Sequence, residues 1–198
     1  MSRERILEAT AQLIKTVGLE GITIRKVAEL AGTNVALLNY HFGSKENLIN
    51  EILKNQFESF RECFNILDEK ESPPLERLKK FLIMYASRLA EHPELAKHAI
   101  SQEQLFKSHY EYLDFLKSQG FDKLVGTITE IVGNLNQDKI MFMIQQMLAA
   151  VLFPSVIRRN LHEEINTASN TTLDSTNMSI EQQIDLFIDH YFYRFTSR

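Results

Sequence analysis

At 198 residues, 44% hydrophobic and 24% charged, the chain has ample core material, which excludes disordered, collagen-like and low-complexity architectures. Seven Gly and four Pro are few for an all-β protein, and a single Cys excludes an intramolecular disulfide framework and any multi-cysteine zinc site. The net charge of −4 divides into +1 over residues 1–50 and −5 over the remainder, which permits a polyanion-contacting N-terminus on an acidic body without establishing it.

Ser2 can cap a first helix, with Glu4 in the first turn where the helix dipole favours a carboxylate. Ile6, Leu7, Thr10, Leu13, Ile14 and Val17 recur at helical spacing on one face, and Gly18 supplies a left-handed stop. Thr23 caps a short second helix, Ile24 to Ala31, with Val27, Ala28 and Ala31 inward and Arg25, Lys26 and Glu29 outward. Gly32 ends it, and Asn34 caps a third helix running to Phe42. Gly43-Ser44 breaks that helix, and Ser44 caps a long fourth one striped by Leu48, Ile49, Ile52, Leu53, Phe57, Phe60 and Phe64.

Beyond a charged, Pro-containing loop at 68–74, a helix from Leu75 to His92 carries Leu78, Leu82, Tyr85, Ala86 and Leu89 inward. Pro93 restarts the chain in a short helix to Phe106. Residues 110–135 read as a further helix with a break or kink near Gly120. Asp138 caps the apolar segment 140–157, which Pro154 is expected to kink. Residues 161–178, rich in Asn, Thr and Ser, read as a loop, and Ser179 caps a last helix faced by Ile180, Ile184, Phe187, Ile188, Tyr191, Phe192 and Phe195. No strand pattern and no internal repeat is visible, so the fold class is all-α. No stretch approaches the roughly 18 uncharged residues of a membrane span, and the charged start has no apolar signal core. A soluble chain of the reducing cytoplasm, with no membrane partner, is expected.

Two short helices joined by a few residues that include a Gly form a helix-turn-helix unit. Ala28 and Ala31 let the helices approach closely, and Leu38 and Phe42 plug the third helix into a small core with Ile6, Leu13, Ile14 and Val27. Val35, Ala36, Asn39 and Tyr40 then face out. An outward face of apolar patch, amide and phenol suits a major groove, where Asn can bond adenine and a small apolar side chain can touch a thymine methyl. A helical hairpin with no DNA role would present the same spacing.

The run from Thr23 to Leu48 closely resembles the DNA-binding head of the TetR family of repressors, whose pattern reads T-x-x-x-I-A-x-x-A-G-V-S-x-x-x-L-Y-x-H-F-x-S-K-E-x-L. Thr23, Ala28, Ala31, Gly32, Leu38, His41, Phe42, Ser44, Lys45, Glu46 and Leu48 match, as do Ile6, Ala9, Leu13 and Gly18 upstream. Val27 replaces Ile, Thr33 replaces Val, Asn34 replaces Ser with its capping chemistry intact, and Asn39 stands where Tyr is usual, followed by Tyr40. The motif spans about a quarter of the chain.

The resemblance implies a helix-turn-helix DNA-binding domain at 1–47 and a helical effector-binding and dimerisation domain at 48–198. It implies a ligand-responsive transcriptional regulator, a repressor that binds a palindromic operator in double-stranded DNA as a homodimer. A small apolar or amphipathic effector would release it by shifting the fourth helix and the spacing of the heads. Carried onto this chain, the DNA-binding set is Thr23, Arg25, Asn34, Val35, Ala36, Asn39, Tyr40, His41 and Lys45. Lys45, at the start of a helix, combines its charge with free backbone N–H groups as a phosphate clamp. Tyr40 either donates to a phosphate or packs in the core. Thr23 caps its helix, touches phosphate, or both; Arg25 lies near the groove or is merely solvated; His41 buttresses the head. Asn39, Val35 and Ala36 are the base-reading candidates.

In the body, Met84, Tyr85, His98, Phe106, Tyr110, Phe115, Met143 and Met147, with Tyr112, Met141 and Phe153, are the adaptable side chains that would line an effector cavity, or else ordinary core. The apolar residues of segment 140–157 surround most of the helix, so it must be covered on nearly all sides. With Met147, Val151, Ile184, Phe187 and Tyr191, a two-fold interface formed by segments 139–159 and 180–195 is expected. The spacings of Cys63, His92, His98 and His109 do not fit one helical face, no catalytic constellation stands out, and neither a metal, a cofactor nor an enzymatic activity is expected. Two further classes remain open: an effector-free DNA-binding or structural protein, and a helical enzyme that reuses the head.

Overall fold

The computed structural model of the chain describes residues 3–92, 95, 106–133, 135–165 and 178–196, with backbone alone for 152, 153 and 155–165. The described residues form helices α1 (Arg3–Val17), α2 (Ile24–Ala31), α3 (Val35–Phe42), α4 (Lys45–Cys63), α5 (Pro74–Glu91), α6 (Lys107–Phe115), α7 (Phe121–Val132), α8 (Gln137–Ile165) and α9 (Ile180–Thr196), with no strand among them. A 3₁₀ turn, Phe64–Asp68, follows α4, and a π turn, Leu116–Gly120, separates α6 from α7. The short helix expected between Pro93 and Phe106, with His98, lies outside the described residues but for Leu95 and Phe106, as do 166–177. No described helix is long and apolar enough to cross a membrane.

Two departures from the sequence reading have local causes. The break expected near Gly120 takes the form of the π turn, and Gly120 is needed there for close approach rather than for flexibility. A Cβ at Gly120 would stand 3.1 Å from Leu116 Cδ2 and 3.2 Å from Phe64 Cε1. The loop expected from residue 161 does not start there: α8 runs through Pro154 to Ile165. Leu161, Glu163 and Glu164 are good helix formers, and extending an existing helix costs far less than nucleating one.

The chain divides into two compact units, Met1–Ser59 with Glu94–Asp114 and Phe60–Pro93 with Phe115–Arg198, and α4 contributes residues to both. In the first unit α1 packs on α2 and α2 on α3. Ile6, Ile14, Ile22, Val27, Leu38 and Leu48 are almost wholly buried there. Thr10 is buried on this side of α1 as well, its hydroxyl donating to the Ile6 carbonyl at 2.7 Å, which removes the penalty of burying a polar group. Val17, expected inward, is exposed, and Ala9 takes the buried place. Further along the unit, Phe57 stacks on Tyr112 at 4.9 Å between centroids, and Asn50 Oδ1 accepts from the Ser108 amide and hydroxyl at 3.2 and 3.1 Å.

The second unit is built around Phe64, Leu78, Phe81, Leu82, Ile128, Ile144, Met147, Ile184 and Phe192. Phe64 is its hub, with ring centroids at 4.8 Å to Phe81, 5.4 Å to Phe115 and 5.9 Å to Tyr85. Cys63 is buried beside it, and burial pushes its thiol up to about 11, so the group stays protonated and inert near neutrality.

Among these apolar groups sits Arg77 of α5, 1% exposed. Its guanidinium donates to the Leu67 carbonyl at 2.5 Å and to the Glu130 carboxylate of α7, which Lys70 also contacts. The Lys70 ammonium first, and the Arg77 guanidinium after it, hold the Glu130 carboxyl below its ordinary value against the opposing effect of desolvation. Nothing in the spacing of α5 singled out Arg77, whose partners are 10 and 53 residues away.

Candidate nucleic-acid interface

The head is assembled by local capping. Thr23 Oγ1 accepts from the Lys26 amide at 3.2 Å and starts α2. Gly32 closes α2 in the left-handed region, φ 65°, while the Thr33 amide reaches back to the Ala28 carbonyl at 2.8 Å. Asn34 Oδ1 accepts from the Leu37 amide at 2.9 Å and starts α3, so the turn between the helices is fixed by a capping side chain, a glycine and local backbone hydrogen bonds. Gly32→Ala is expected to lower stability by about 1–2 kcal/mol, the cost of a Cβ in the left-handed region, read as a lower thermal midpoint.

With Leu38 1% and Phe42 7% exposed, α3 is anchored along one side. The opposite side carries Val35, Ala36, Asn39 and Tyr40, all exposed, with Tyr40 83% exposed. Such exposure removes core packing as the role of Tyr40. Thr23, Arg25 and Asn34 are exposed too, and His41 is half-buried, its ring edge-on to Tyr40 at 5.4 Å between centroids. Lys45, half-buried, is the first residue of α4, and Ser44 Oγ accepts from the Asn47 amide at 3.1 Å as the cap of that helix. α3 therefore presents an apolar patch, an amide and a phenol, while a lysine stands at the start of the next helix.

Two residues of the head escaped the sequence reading. Asn47 Nδ2 donates to the Phe42 carbonyl at 3.1 Å, satisfying an orphan acceptor at the end of α3. Arg3 bonds Glu51 of α4 and lies over the Phe42 ring. Asn47 could have been found as an amide a few residues past a helix stop; Arg3, 48 residues from its partner, leaves no local signal.

The effector candidates are not gathered as one set. Met147 is wholly buried in the second unit, and Tyr85, Phe115 and Met143 border the same apolar cluster. Met84 and Tyr110 are exposed, Phe106 is half-buried, and His98 lies outside the described residues. Phe106, Tyr110 and Tyr112 belong to the first unit and the other described candidates to the second.

The interface candidates need correcting. Met147, Val151 and Ile184 are at most 7% exposed and are covered by their own chain, so they are core rather than contact residues. Phe187 and Tyr191 are half-buried and stacked at 4.9 Å, with the Tyr191 hydroxyl donating to Gln146 Oε1 at 2.7 Å. Within the single chain Phe142 of the apolar segment is 59% exposed, and on α9 Leu186 and Tyr193 are exposed by about half.

Comparison with known proteins agrees with this geometry. Residues 6–52 match the model of a family described as bacterial regulatory proteins, tetR family. Over 134 residues the chain is 28% identical to the HTH-type transcriptional repressor NicS of Pseudomonas putida, covering 68% of this chain and 59% of that protein. It is 30% identical over 107 residues to the nucleoid occlusion factor SlmA of Sodalis glossinidius, covering 52% and 54%. The chain spans little more than half the length of the curated relatives it matches. The crystal structure of PfmR, a TetR family transcriptional regulator from Thermus thermophilus, shares the fold over 98% of this chain and 100% of that one, with a TM-score of 0.65 at 19% identity. With a capped helix-turn-helix inside the matched region, residues 6–52 form the helix-turn-helix domain of the tetR family of bacterial regulatory proteins, and the chain shares its helical fold with PfmR.

Proposed function

We propose that the chain is a transcriptional repressor that acts in the cytoplasm on a palindromic DNA operator as a homodimer, and that a small apolar or amphipathic effector releases it. The observation that carries this reading is α3, locked into the core by Leu38 and Phe42 while Val35, Ala36, Asn39 and Tyr40 stand free on its other side. In this reading Asn39, Val35 and Ala36 meet base edges, Tyr40 and Lys45 meet phosphates, and Thr23, Arg25 and Asn34 flank them at the backbone. His41 buttresses the helix from within. Residues 1–47 read DNA and 48–198 bind effector and partner.

The partner surface is the exposed side of α8 and α9, where Phe142, Leu186 and Tyr193 leave apolar area open to a second copy. The effector acts by favouring the arrangement whose head spacing misfits the operator, with α4, shared by the two compact units, as the element that moves. Tyr85, Phe115 and Met143 are the body residues best placed to meet it, since they border the apolar cluster without being consumed by it.

Selection from randomised duplexes with the purified protein tests the reading, and a two-fold symmetric consensus is the expected result. On the selected operator, Lys45→Ala is expected to weaken binding across all sequences and to flatten the salt dependence by about one unit, as one lost phosphate contact should. An unchanged salt slope would remove the clamp. Asn39→Ala is expected to relax one operator position, with a true base contact worth about 1–3 kcal/mol of discrimination. A second reading, DNA binding without an effector, has the similarity to a nucleoid occlusion factor in its favour. It requires that no small molecule able to raise the thermal midpoint also release DNA.

A further inference from the structure

We propose that Arg3 is a positioning residue for DNA reading, one that sets the orientation of α3 against α4 without touching DNA itself; this rests on the DNA-binding reading above. Arg3 Nη2 donates to Glu51 Oε2 at 2.5 Å, and its guanidinium carbon lies 5.1 Å from the centroid of the Phe42 ring. Phe42 is the last residue of α3, and its carbonyl accepts from Asn47 Nδ2 at 3.1 Å. The end of α3 is therefore held twice from α4, directly through Asn47 and through Arg3 by way of Glu51.

Eight residues are too few for a helix to hold itself, so the direction in which α3 presents Asn39 and Tyr40 is set by its anchors. Leu38 and Phe42 supply apolar anchoring, which is non-directional, whereas the guanidinium supplies a planar contact with a fixed geometry. An arginine in the first turn of α1 would ordinarily be read as a phosphate contact. Here its charge is answered by the Glu51 carboxylate, and its face is taken by an aromatic ring. The side chains are 51% and 25% exposed, so the pair adds little to stability. Its effect falls on the geometry of reading.

The test measures operator affinity of the full chain over a salt series for wild type, Arg3→Ala, Glu51→Gln and Lys45→Ala. Arg3→Ala and Glu51→Gln are each expected to weaken binding about tenfold, the scale at which loss of a supporting outer contact is felt. Their salt slopes should match wild type, while Lys45→Ala loses about one unit. Glu51→Gln discriminates most sharply, because a carboxylate near a phosphate repels it. A phosphate-contacting Arg3 would be set free by that change and would hold affinity or raise it. If Arg3→Ala disturbs the head, shown by a lower melting midpoint, Glu51→Gln carries the test with Arg3 in place. Either a lost unit of slope in Arg3→Ala or unweakened binding in Glu51→Gln overturns the proposal alone. A wild-type protein that binds no duplex removes it together with the reading beneath it.

Discussion

Replacing Met147 by Glu is expected to unfold the chain rather than to separate subunits. Met147 is fully buried among Phe81, Leu82, Ile144 and Ile188. A carboxylate there is placed in an apolar cluster, where it must ionise at a large cost or stay protonated. The loss should exceed about 4 kcal/mol, the range in which buried unpaired charge lies, and a marginally stable domain does not survive it. The contrasting substitution is Phe142→Glu on the same helix. That side chain is 59% exposed, so its replacement should change the folding free energy of the single chain by about 0.5 kcal/mol at most. If α8 pairs with its symmetry mate, Phe142→Glu should nonetheless lower the sedimenting mass and weaken operator binding, because two linked heads bind far more tightly than one. Circular dichroism melts and sedimentation velocity separate the two outcomes. A Met147→Glu protein with a wild-type melt would contradict the core assignment, and a Phe142→Glu protein that sediments as wild type would contradict the interface.

Glu130→Gln should be the next most costly change. It leaves the Arg77 guanidinium, 1% exposed, with the Leu67 carbonyl but without its counter-charge. Breaking a fully buried pair costs about 3–5 kcal/mol; here about 2 kcal/mol is expected at neutral pH, because water reaches the Glu130 side. That side chain is 38% exposed. The pH dependence has a definite sign. Lys70 and Arg77 lower the Glu130 carboxyl in the folded state, so the stability it adds is complete above the ordinary glutamate value of about 4.3 and is lost as pH falls through the folded value. Denaturant midpoints of wild type and variant should differ most near neutrality and converge in acid. A gap that stays constant down to the acid transition would show that the charge of Glu130 is not what stabilises the pair.

The helix-turn-helix could be read directly because its determinants are local. Thr23, Asn34 and Ser44 each bond an amide three residues on, and Gly32 and Gly43 adopt positive φ at the stops, so the amino acids that bound the helices lie at their boundaries. The outward face of α3 was legible for a similar reason: once Leu38 and Phe42 point inward, helical periodicity places Val35, Ala36, Asn39 and Tyr40 outside. Periodicity fails where a helix has apolar residues around its whole circumference. In α8 the pattern alone does not distinguish Met147, fully buried, from Phe142, largely exposed, because the difference depends on which neighbours cover each side. The same holds for Arg77, whose residue type suggests the surface, and for Arg3, whose role depends on Phe42 and Glu51, 39 and 48 residues away. Caps, stops and the periodic face of a short helix are determined by bonds that span a few residues, and the sequence by itself determined them. Whether an apolar side chain meets its own core or a partner, and whether a cation is spent on a carboxylate or left for DNA, depends on groups distant in the chain, and only the tertiary structure decided it.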